Sequence, residues 1–359
     1  MTDQISFSIT VPIGSYHPFL ESCLESLVAQ DVPLKIAVFD ASGDPRVTEL
    51  VERYADRIAY RHHGPDEGQA DAIAKGWQET HGTVLGWLNA DDVLAPDALA
   101  IAATFLSSNS EVDVVYGHSL ICDDEANIIG YHWNVMEPGD HILSTCSISQ
   151  PSCFFRREAL EAAGGLDRSL HYTMDWDLWI RLHNSGARFE LLGDIRSLVL
   201  WSEQAKTGGF NKQRRAELKR LLDANPSSKA RWNGYVGFAS HYFYEYVLPR
   251  SVRDWIWRRN ISGGRGMFGI SVSGDIENKA EFKLFHYSGS PKQQLIVLTP
   301  ASRDDFEVCI NGVVMSSAEP IPGGYSFSIP VPVVAGNTNR VELTNHADSP
   351  LHLSGIRFS

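Results

Sequence analysis

The sequence predicts an α/β domain built on a parallel sheet, followed by a helical segment and an all-β domain. Three observations predict this order. Strand-period and helix-period apolar patterns alternate through the first hundred residues, as a parallel sheet with covering helices requires. From residue 211 the composition turns basic and aromatic. Beyond about Gly266, short alternating runs follow one another with turn residues between them, the pattern of a β-sandwich or jelly roll. A chain of 359 residues accommodates two or more such units, and the expected divisions are 1–210, 211–264 and 265–359.

Taken in order, Ile5, Phe7, Ile9 and Val11 alternate with Ser6, Ser8 and Thr10, a strand broken by Pro12-Ile13-Gly14-Ser15. A helix from Pro18 places Phe19, Leu20, Cys23, Leu24, Leu27 and Val28 on one face. A second strand, 34–39, ends in Asp40-Ala41-Ser42-Gly43-Asp44, and Pro45 opens the next helix. A short strand at 58–61, a helix at 69–80 and a strand at 84–88 complete a β-α-β-α-β-α-β run. A helix at 96–107 and a strand at 112–116 follow. Ser149 to Phe155 reads as a strand, leading through Arg156-Arg157 into a helix closed by Gly164-Gly165. Thr173 is placed to cap a helix carrying Asp175 and Asp177 in its first turn, where acids also suit the helix dipole. Strands at 188–192 and 195–201 close the domain.

The stretch that organises the chain is Gly86-Trp87-Leu88-Asn89-Ala90-Asp91-Asp92. An apolar strand ends here in an amide and two carboxylates, and burying either carboxylate unpaired costs several kcal/mol, on the order of 3–5. A divalent cation carried by a diphosphate would use them; capping of the next helix is the ordinary alternative. In parallel sheets ligands bind beyond the carboxyl ends of strands, and three ends here carry suitable groups: Val11-Pro12, Asp40 and Asn89-Asp91-Asp92. Asp123-Asp124-Glu125 is a further acidic cluster, whose ordinary use is a solvated turn.

The bulk numbers bound the function. Net charge is −13, which argues against a general nucleic-acid binder. The charge is uneven: residues 211–265 hold twelve Lys/Arg against four Asp/Glu, +8, leaving −21 for the remainder. No apolar run reaches the roughly 20 residues that span a bilayer, and Met1-Thr2-Asp3-Gln4 lacks a signal-peptide pattern. The five cysteines form no CxxC pair, so a reducing, cytoplasmic setting is expected.

Five stretches carry a resemblance: Phe39-Asp40-Ala41-Ser42-Gly43-Asp44; Pro65-Asp66-Glu67-Gly68-Gln69-Ala70-Asp71-Ala72-Ile73; Trp87-Leu88-Asn89-Ala90-Asp91-Asp92; Gln150-Pro151-Ser152-Cys153-Phe154-Phe155-Arg156-Arg157; and Met174-Asp175-Trp176-Asp177-Leu178-Trp179. In this order and on these elements, residues 5–205 resemble the inverting family 2 glycosyltransferases of the Rossmann-like GT-A fold, most closely bacterial members of the cell-surface polysaccharide type. The resemblance implies a nucleotide-sugar donor, with a UDP-sugar favoured, and a glycan or lipid-linked acceptor. It implies that Asp40 and Asp71 lie at the nucleoside, and that Pro12, Ile13, Gln69, Asn89 and Gln150 contribute to the nucleotide-sugar pocket. Asp91 and Asp92 match the DXD-type motif, Asp91 at ribose or metal and Asp92 at the Mg²⁺ or Mn²⁺ that bridges the diphosphate. Asp175 matches the general base.

Four departures accompany the match. Gly14-Ser15 stands where the family often has an aromatic, Ala41 where a second acid is frequent, and Met174 where a glutamate precedes the base. Leu200 to Thr207 contains no histidine where many members place a metal ligand. The implied chemistry is coherent: a hard cation neutralises the leaving diphosphate, the sugar passes through an oxocarbenium-like state, and a carboxylate takes the acceptor's proton. Of Trp176 and Trp179 beside the base, one is a candidate to stack on a sugar face, with core packing equally good for Trp179.

The segment 211–264 combines Lys212, Arg214, Arg215, Lys219 and Arg220 with Trp232, Tyr235, Phe238, Tyr242 and Trp255. That composition suits either peripheral contact with an anionic membrane or a linker helix facing acidic surface. The C-terminal strands are expected at 267–272, 281–285, 295–298, 306–310, 313–315, 325–329, 340–344 and 351–358, with Asn311-Gly312 as a hairpin turn. Their likeness is to carbohydrate-binding modules, and glycan binding, homo-oligomerisation and a structural cap are all open to them. Two other functions share these features: a sugar-nucleotide nucleotidyltransferase, against which the absence of Arg and Lys from Val11 to Tyr16 counts, and a non-catalytic glycan-binding protein with a degenerate transferase domain.

Overall fold

The computed structural model describes residues 4–122, 125–132, 139–200, 211–225, 227–243, 247, 249, 275–284, 291–334 and 339–359. The chain divides into two compact units, one of residues 1–119 and 133–242, the other of residues 120–132 and 243–359.

In the first unit, β1 (Phe7–Ile13), α1 (Leu20–Val28), β2 (Leu34–Asp40), α2 (Pro45–Arg53), β3 (Tyr60–His63), α3 (Gln69–Thr80) and β4 (Val84–Trp87) build the parallel half of the sheet. Next come β5 (Val93–Leu94), α4 (Ala98–Ser108), β6 (Val114–Cys122), β8 (Cys153–Arg156), α5 (Arg157–Ala162), α6 (Met174–Asn184), β9 (Phe189–Leu200), α7 (Lys212–Asp223) and α8 (Ser228–Tyr242); the last residues of β6, with β7 (Ile128–His132), are counted in the second unit. The sheet order is β3-β2-β1-β4-β8-β6-β9-β5, with β7 paired to β6. Strands β3, β2, β1 and β4 run parallel, and β8 is antiparallel to both β4 and β6. Every residue of β1 is buried, as expected for a strand covered on both faces.

Register brings the strand ends together. Ile13 pairs with Asp40, Asp40 with His63, and Thr10 with Trp87. Strand β1 runs on through Pro12, past the expected break. Leu88 donates to the Thr10 carbonyl, so the Thr10 edge faces β4; Pro12, two residues on, turns its missing N–H to the same side, where the pairing ends. The expected strand 149–155 instead begins as a single 3₁₀ turn, Gln150–Ser152, because Pro151 fits a turn and cannot donate to a ladder. The two strands expected at 188–201 are one, β9. Asp123-Asp124 and the histidine-free stretch 201–207 lie outside the described residues.

The core under the strand ends is aromatic. Trp87 stacks on Trp179 with centroids 5.9 Å apart, and Trp77 meets Trp87 and Phe155 edge-on. Helix α3 approaches β1 closely at Gly76, where a methyl group would lie 2.2 Å from Thr10 Oγ1 and 2.6 Å from its Cγ2. Gly76→Ala is therefore expected to cost about 1–3 kcal/mol through overpacking, measured by urea unfolding; an unchanged midpoint would contradict this packing.

The second unit adds β10 (Asp275–Ile276), β11 (Lys279–Leu284), β12 (Lys292–Leu298), β13 (Phe306–Ile310), β14 (Val313–Val314), β15 (Ala318–Ile321), β16 (Gly324–Val333), β17 (Asn339–Asn345), β18 (Leu351–His352) and β19 (Gly355–Phe358). Two four-stranded antiparallel sheets, β11-β17-β13-β14 and β15-β16-β12-β19, face each other, with Phe306 of one against Phe327 of the other at 6.2 Å. Asn311 and Gly312 both have positive φ, 50° and 85°, as a tight hairpin turn requires. The strand expected at 267–272 lies outside the described residues.

Candidate active site

A cleft of about 610 Å³ opens at the carboxyl ends of the parallel strands. Pro12, Ile13, Gly14 and Ser15 after β1, Gln69 at the head of α3, Asn89, Ala90 and Asp91 after β4, and Gln150 all line it. So do Met174 and Asp175 at the start of α6, more than eighty residues further along the chain. Asp91 and Asp175 therefore share one cavity. A shallow groove of about 850 Å³ beside α2 is lined by Glu49, Glu52, Arg53 and His63 and contains none of the expected site residues.

An amide chain organises the β4 end. Gln69 Nε2 donates to Asn89 Oδ1 at 2.7 Å. Asn89 Nδ2 donates to Asp92 Oδ2 at 2.9 Å and Gln150 Oε1 at 3.2 Å. Gln150 Nε2 in turn donates to the Trp87 carbonyl at 2.7 Å. The Cys23 thiol donates to the Asn89 carbonyl at 3.3 Å. Three polar side chains from three elements thus fix each other before any ligand arrives.

The two adjacent aspartates part company. Asp91 faces the cleft, whereas Asp92 is 4 % exposed and lies beneath it. Burial, and then the neighbouring Asp91 charge, push the Asp92 carboxyl well up, against hydrogen bonds from Asn89 and the Leu200 N–H. The Asp92 N–H donates to the Asn89 carbonyl at 3.0 Å, closing a turn whose geometry leaves only Asp91 of the pair in the cleft lining.

Asp40 is 3 % exposed, and its carboxylate is already engaged. One oxygen accepts from the Ser42 N–H and hydroxyl at 2.9 and 2.5 Å, and the other lies 2.9 Å from His63 Nδ1. It stiffens the β2 end, and Ala41, the next residue, lines the cleft. Asp71 is 1 % exposed and forms ion pairs with Lys75 at 2.7 Å and Arg168 at 3.1 Å. Burial pushes its carboxyl up, but Lys75, the Glu67 N–H and Arg168 outweigh that and hold it below the usual range. A depressed native pKa means the unfolded chain binds more protons, so this contribution is present at neutral pH and lost as pH falls through the native value. The stability difference between wild type and Asp71→Asn is expected to shrink between pH 7 and pH ~3 in urea titrations; a constant difference would contradict the pairing.

Asp175 Oδ1 accepts from the Trp176 N–H at 2.7 Å, and the Cys146 thiol lies 4.0 Å from Oδ2. Burial and then the Asp175 charge push that thiol well up, so it stays protonated and can donate. Thr173 does not cap α6 with its hydroxyl, which points instead to Glu217 Oε2 at 3.4 Å. Neither tryptophan is a sugar platform. Trp176 is buried with Nε1 donating to the Ile142 carbonyl at 2.6 Å, and Trp179 is enclosed by Trp87 and Phe155.

The cleft also contains His17, Asp66, His171 and Tyr172, which carried no assigned role in the sequence. Gly68, at φ +114°, lets the chain pass His171, whose Cε1 would sit 3.1 Å from an added methyl. Tyr16, immediately after the Gly14-Ser15 departure, is covered by the Arg46 guanidinium at 3.9 Å from the ring centre. Periodicity marks none of these; they meet through the fold.

Residues 8–164 match the profile of Glycosyl transferase family 2. A PGL/p-HBAD biosynthesis glycosyltransferase of Mycobacterium bovis is 26 % identical over 186 residues, covering 50 % of this chain and 71 % of the relative. A chondroitin synthase of Escherichia coli is 25 % identical over 184 residues, covering 50 % of this chain and 26 % of that protein. In fold, S. aureus TarS 1–349, solved in complex with UDP-GlcNAc, aligns over 72 % of this chain and 80 % of its own, with a TM-score of 0.54 and 16 % identity. The N-terminal unit is thus a family 2 glycosyltransferase domain of GT-A architecture. The protein is a glycosyltransferase, with antiparallel sheets added at its C-terminus.

Proposed function

We propose that the cleft binds a nucleotide-diphosphate sugar, with a UDP-sugar favoured, and transfers the sugar to a glycan or lipid-linked acceptor in a single inverting displacement. The observation that carries this is the shared cavity: Asp91 and Asp175 reach it from stretches more than eighty residues apart in the chain. Asp175 is the general base, removing the acceptor hydroxyl's proton as its oxygen attacks the anomeric carbon. The bond to the diphosphate breaks on the opposite face, where Asp91, Asn89, Gln69 and Gln150 hold the leaving group's surroundings in place. Support for the donor comes from the domain family and from the UDP-GlcNAc bound by TarS, a protein of the same fold.

The donor set fits Mg²⁺ or Mn²⁺. Among the described residues the lining holds Asp66, Asp91 and Asp175 but no lysine or arginine, so a diphosphate entering alone would meet only like charge. No three His, Cys, Asp or Glu side chains converge among the described residues, so a hard cation here would be held by one or two carboxylates together with substrate phosphates. Asp91, which reaches the cleft, is its ligand; Asp92 acts from below through Asn89. When bound, the cation neutralises charge on the departing diphosphate.

Among the described residues no helix is long and apolar enough to cross a membrane. Among the described residues the five cysteines form no disulfide, and a reducing, cytoplasmic setting is part of this proposal. Trp232, Tyr235 and Phe243 are exposed in and just after α8, which supports peripheral contact with a membrane bearing the acceptor. Transfer assays across UDP-, GDP- and dTDP-sugars test the proposal. Turnover with one donor class is expected; pyrophosphorolysis without transfer would replace it with a nucleotidyltransferase, and no turnover with binding retained would replace it with a glycan-binding role.

A further inference from the structure

Helix α7 lies in the basic segment expected to serve as linker or membrane contact, yet it reaches into the catalytic unit. Glu217, in its middle, is 7 % exposed. Its carboxylate accepts three successive backbone N–H groups: His171 at 3.0 Å on Oε1, then Tyr172 at 2.8 Å and Thr173 at 3.2 Å on Oε2. Gln213 Nε2 steadies Oε1 from one turn earlier at 3.3 Å. Two further ties run the same way: Asn211 donates to the Tyr172 phenolic oxygen at 2.5 Å, and Arg220 pairs with Asp167 at 2.7 Å and donates to Ser169 at 3.1 Å. Helix α7 therefore holds the chain from 167 to 173 along its length.

That chain leads directly to the base. Thr173 is the residue before α6, and its carbonyl accepts from the Asp177 N–H at 2.8 Å, closing the helix's first turn around Asp175. His171 and Tyr172 line the cleft beside Asp175. A buried carboxylate saturated by consecutive N–H groups fixes φ and ψ there far more tightly than the loop's own sequence would.

We propose that Glu217 is a positioning residue for sugar transfer, its carboxylate setting the 171–173 backbone from which Asp175 is presented to the acceptor. This rests on Asp175 being the base. The glutamate touches no substrate; it decides where the base stands. Helix α7 is accordingly part of the catalytic machinery and not a tether.

The test uses the full chain. Hydrogen exchange of wild type is expected to show the amides of 171–173 protected, though they lie outside helix and strand. In Glu217→Gln, which keeps the shape but turns an NH₂ toward those donors, their exchange is expected to accelerate by about tenfold or more. Transfer kcat is expected to fall by about tenfold or more, with donor KM and calorimetric UDP affinity within about threefold of wild type. Glu217→Asp, which keeps the charge but withdraws it by one methylene, is expected to behave alike and stands in if the glutamine variant does not fold. Unprotected amides in wild type would overturn the proposal without any variant. So would unchanged exchange in the variants, or accelerated exchange with unchanged kcat. Should Asp175→Asn retain turnover, the base assignment falls, and the exchange data still judge what Glu217 holds.

Discussion

Asp175→Asn is expected to lower transfer kcat by about 10²–10⁴-fold, the range that a positioned general base contributes. The amide keeps the shape of the carboxylate and can still accept the Trp176 N–H that Asp175 holds at 2.7 Å, so the start of α6 should stay in place. Donor affinity should remain within about threefold of wild type, because the proposed donor contacts are Asp91, Asn89, Gln69 and Gln150 and not Asp175. Steady-state kinetics with a UDP-sugar would therefore show a fall in kcat at nearly constant donor KM. Turnover close to wild type would remove Asp175 from the base role; a large rise in donor KM would make it a donor contact instead.

Asp91→Asn is expected to abolish the stabilisation that Mn²⁺ and UDP give together. A ligand present at about 100 times its Kd raises stability by about 2.7 kcal/mol, a clear thermal shift in wild type, and the variant should lose most of it. Asp92→Asn should behave differently. Asp92 is buried under the cleft and accepts from Asn89, and an asparagine oxygen can accept the same bond. It should keep most of the Mn²⁺-dependent shift. Equal losses in both variants would show that the adjacent carboxylates act as a pair on the metal.

Much of the fold was legible because two periods write it. The alternation in β1 and the helical spacing in α1 to α3 are consequences of which faces are buried, and a parallel sheet then aligns the strand ends. Asp91, Asn89 and Gln150, expected at the cleft, do line it, because they lie just beyond β4 or just before β8. Direction was not legible. Asp91 and Asp92 are neighbours of one type, and the order of acids does not say which faces the cleft. Asp40 and Asp71 were expected at the nucleoside; neither lines the cleft, and their carboxylates engage Ser42, His63, Lys75 and Arg168. Trp176 and Trp179 read as a sugar platform or as core, since an amphipathic helix start allows both; Ile142, Phe155 and Trp87, from three other stretches of the chain, decided for core. Glu217 had no signal at all. It is one acid on a helix full of charge, and only packing shows that its carboxylate meets three backbone donors 44 to 46 residues earlier.

The central claim is that one cleft holds the donor at Asp91 and the base at Asp175. Calorimetric titration of UDP into Asp91→Asn and Asp175→Asn, side by side in Mn²⁺, tests it most directly. The account predicts UDP affinity weakened by about tenfold or more in Asp91→Asn and unchanged in Asp175→Asn. Unchanged affinity in Asp91→Asn, or equal losses in the two variants, would contradict it.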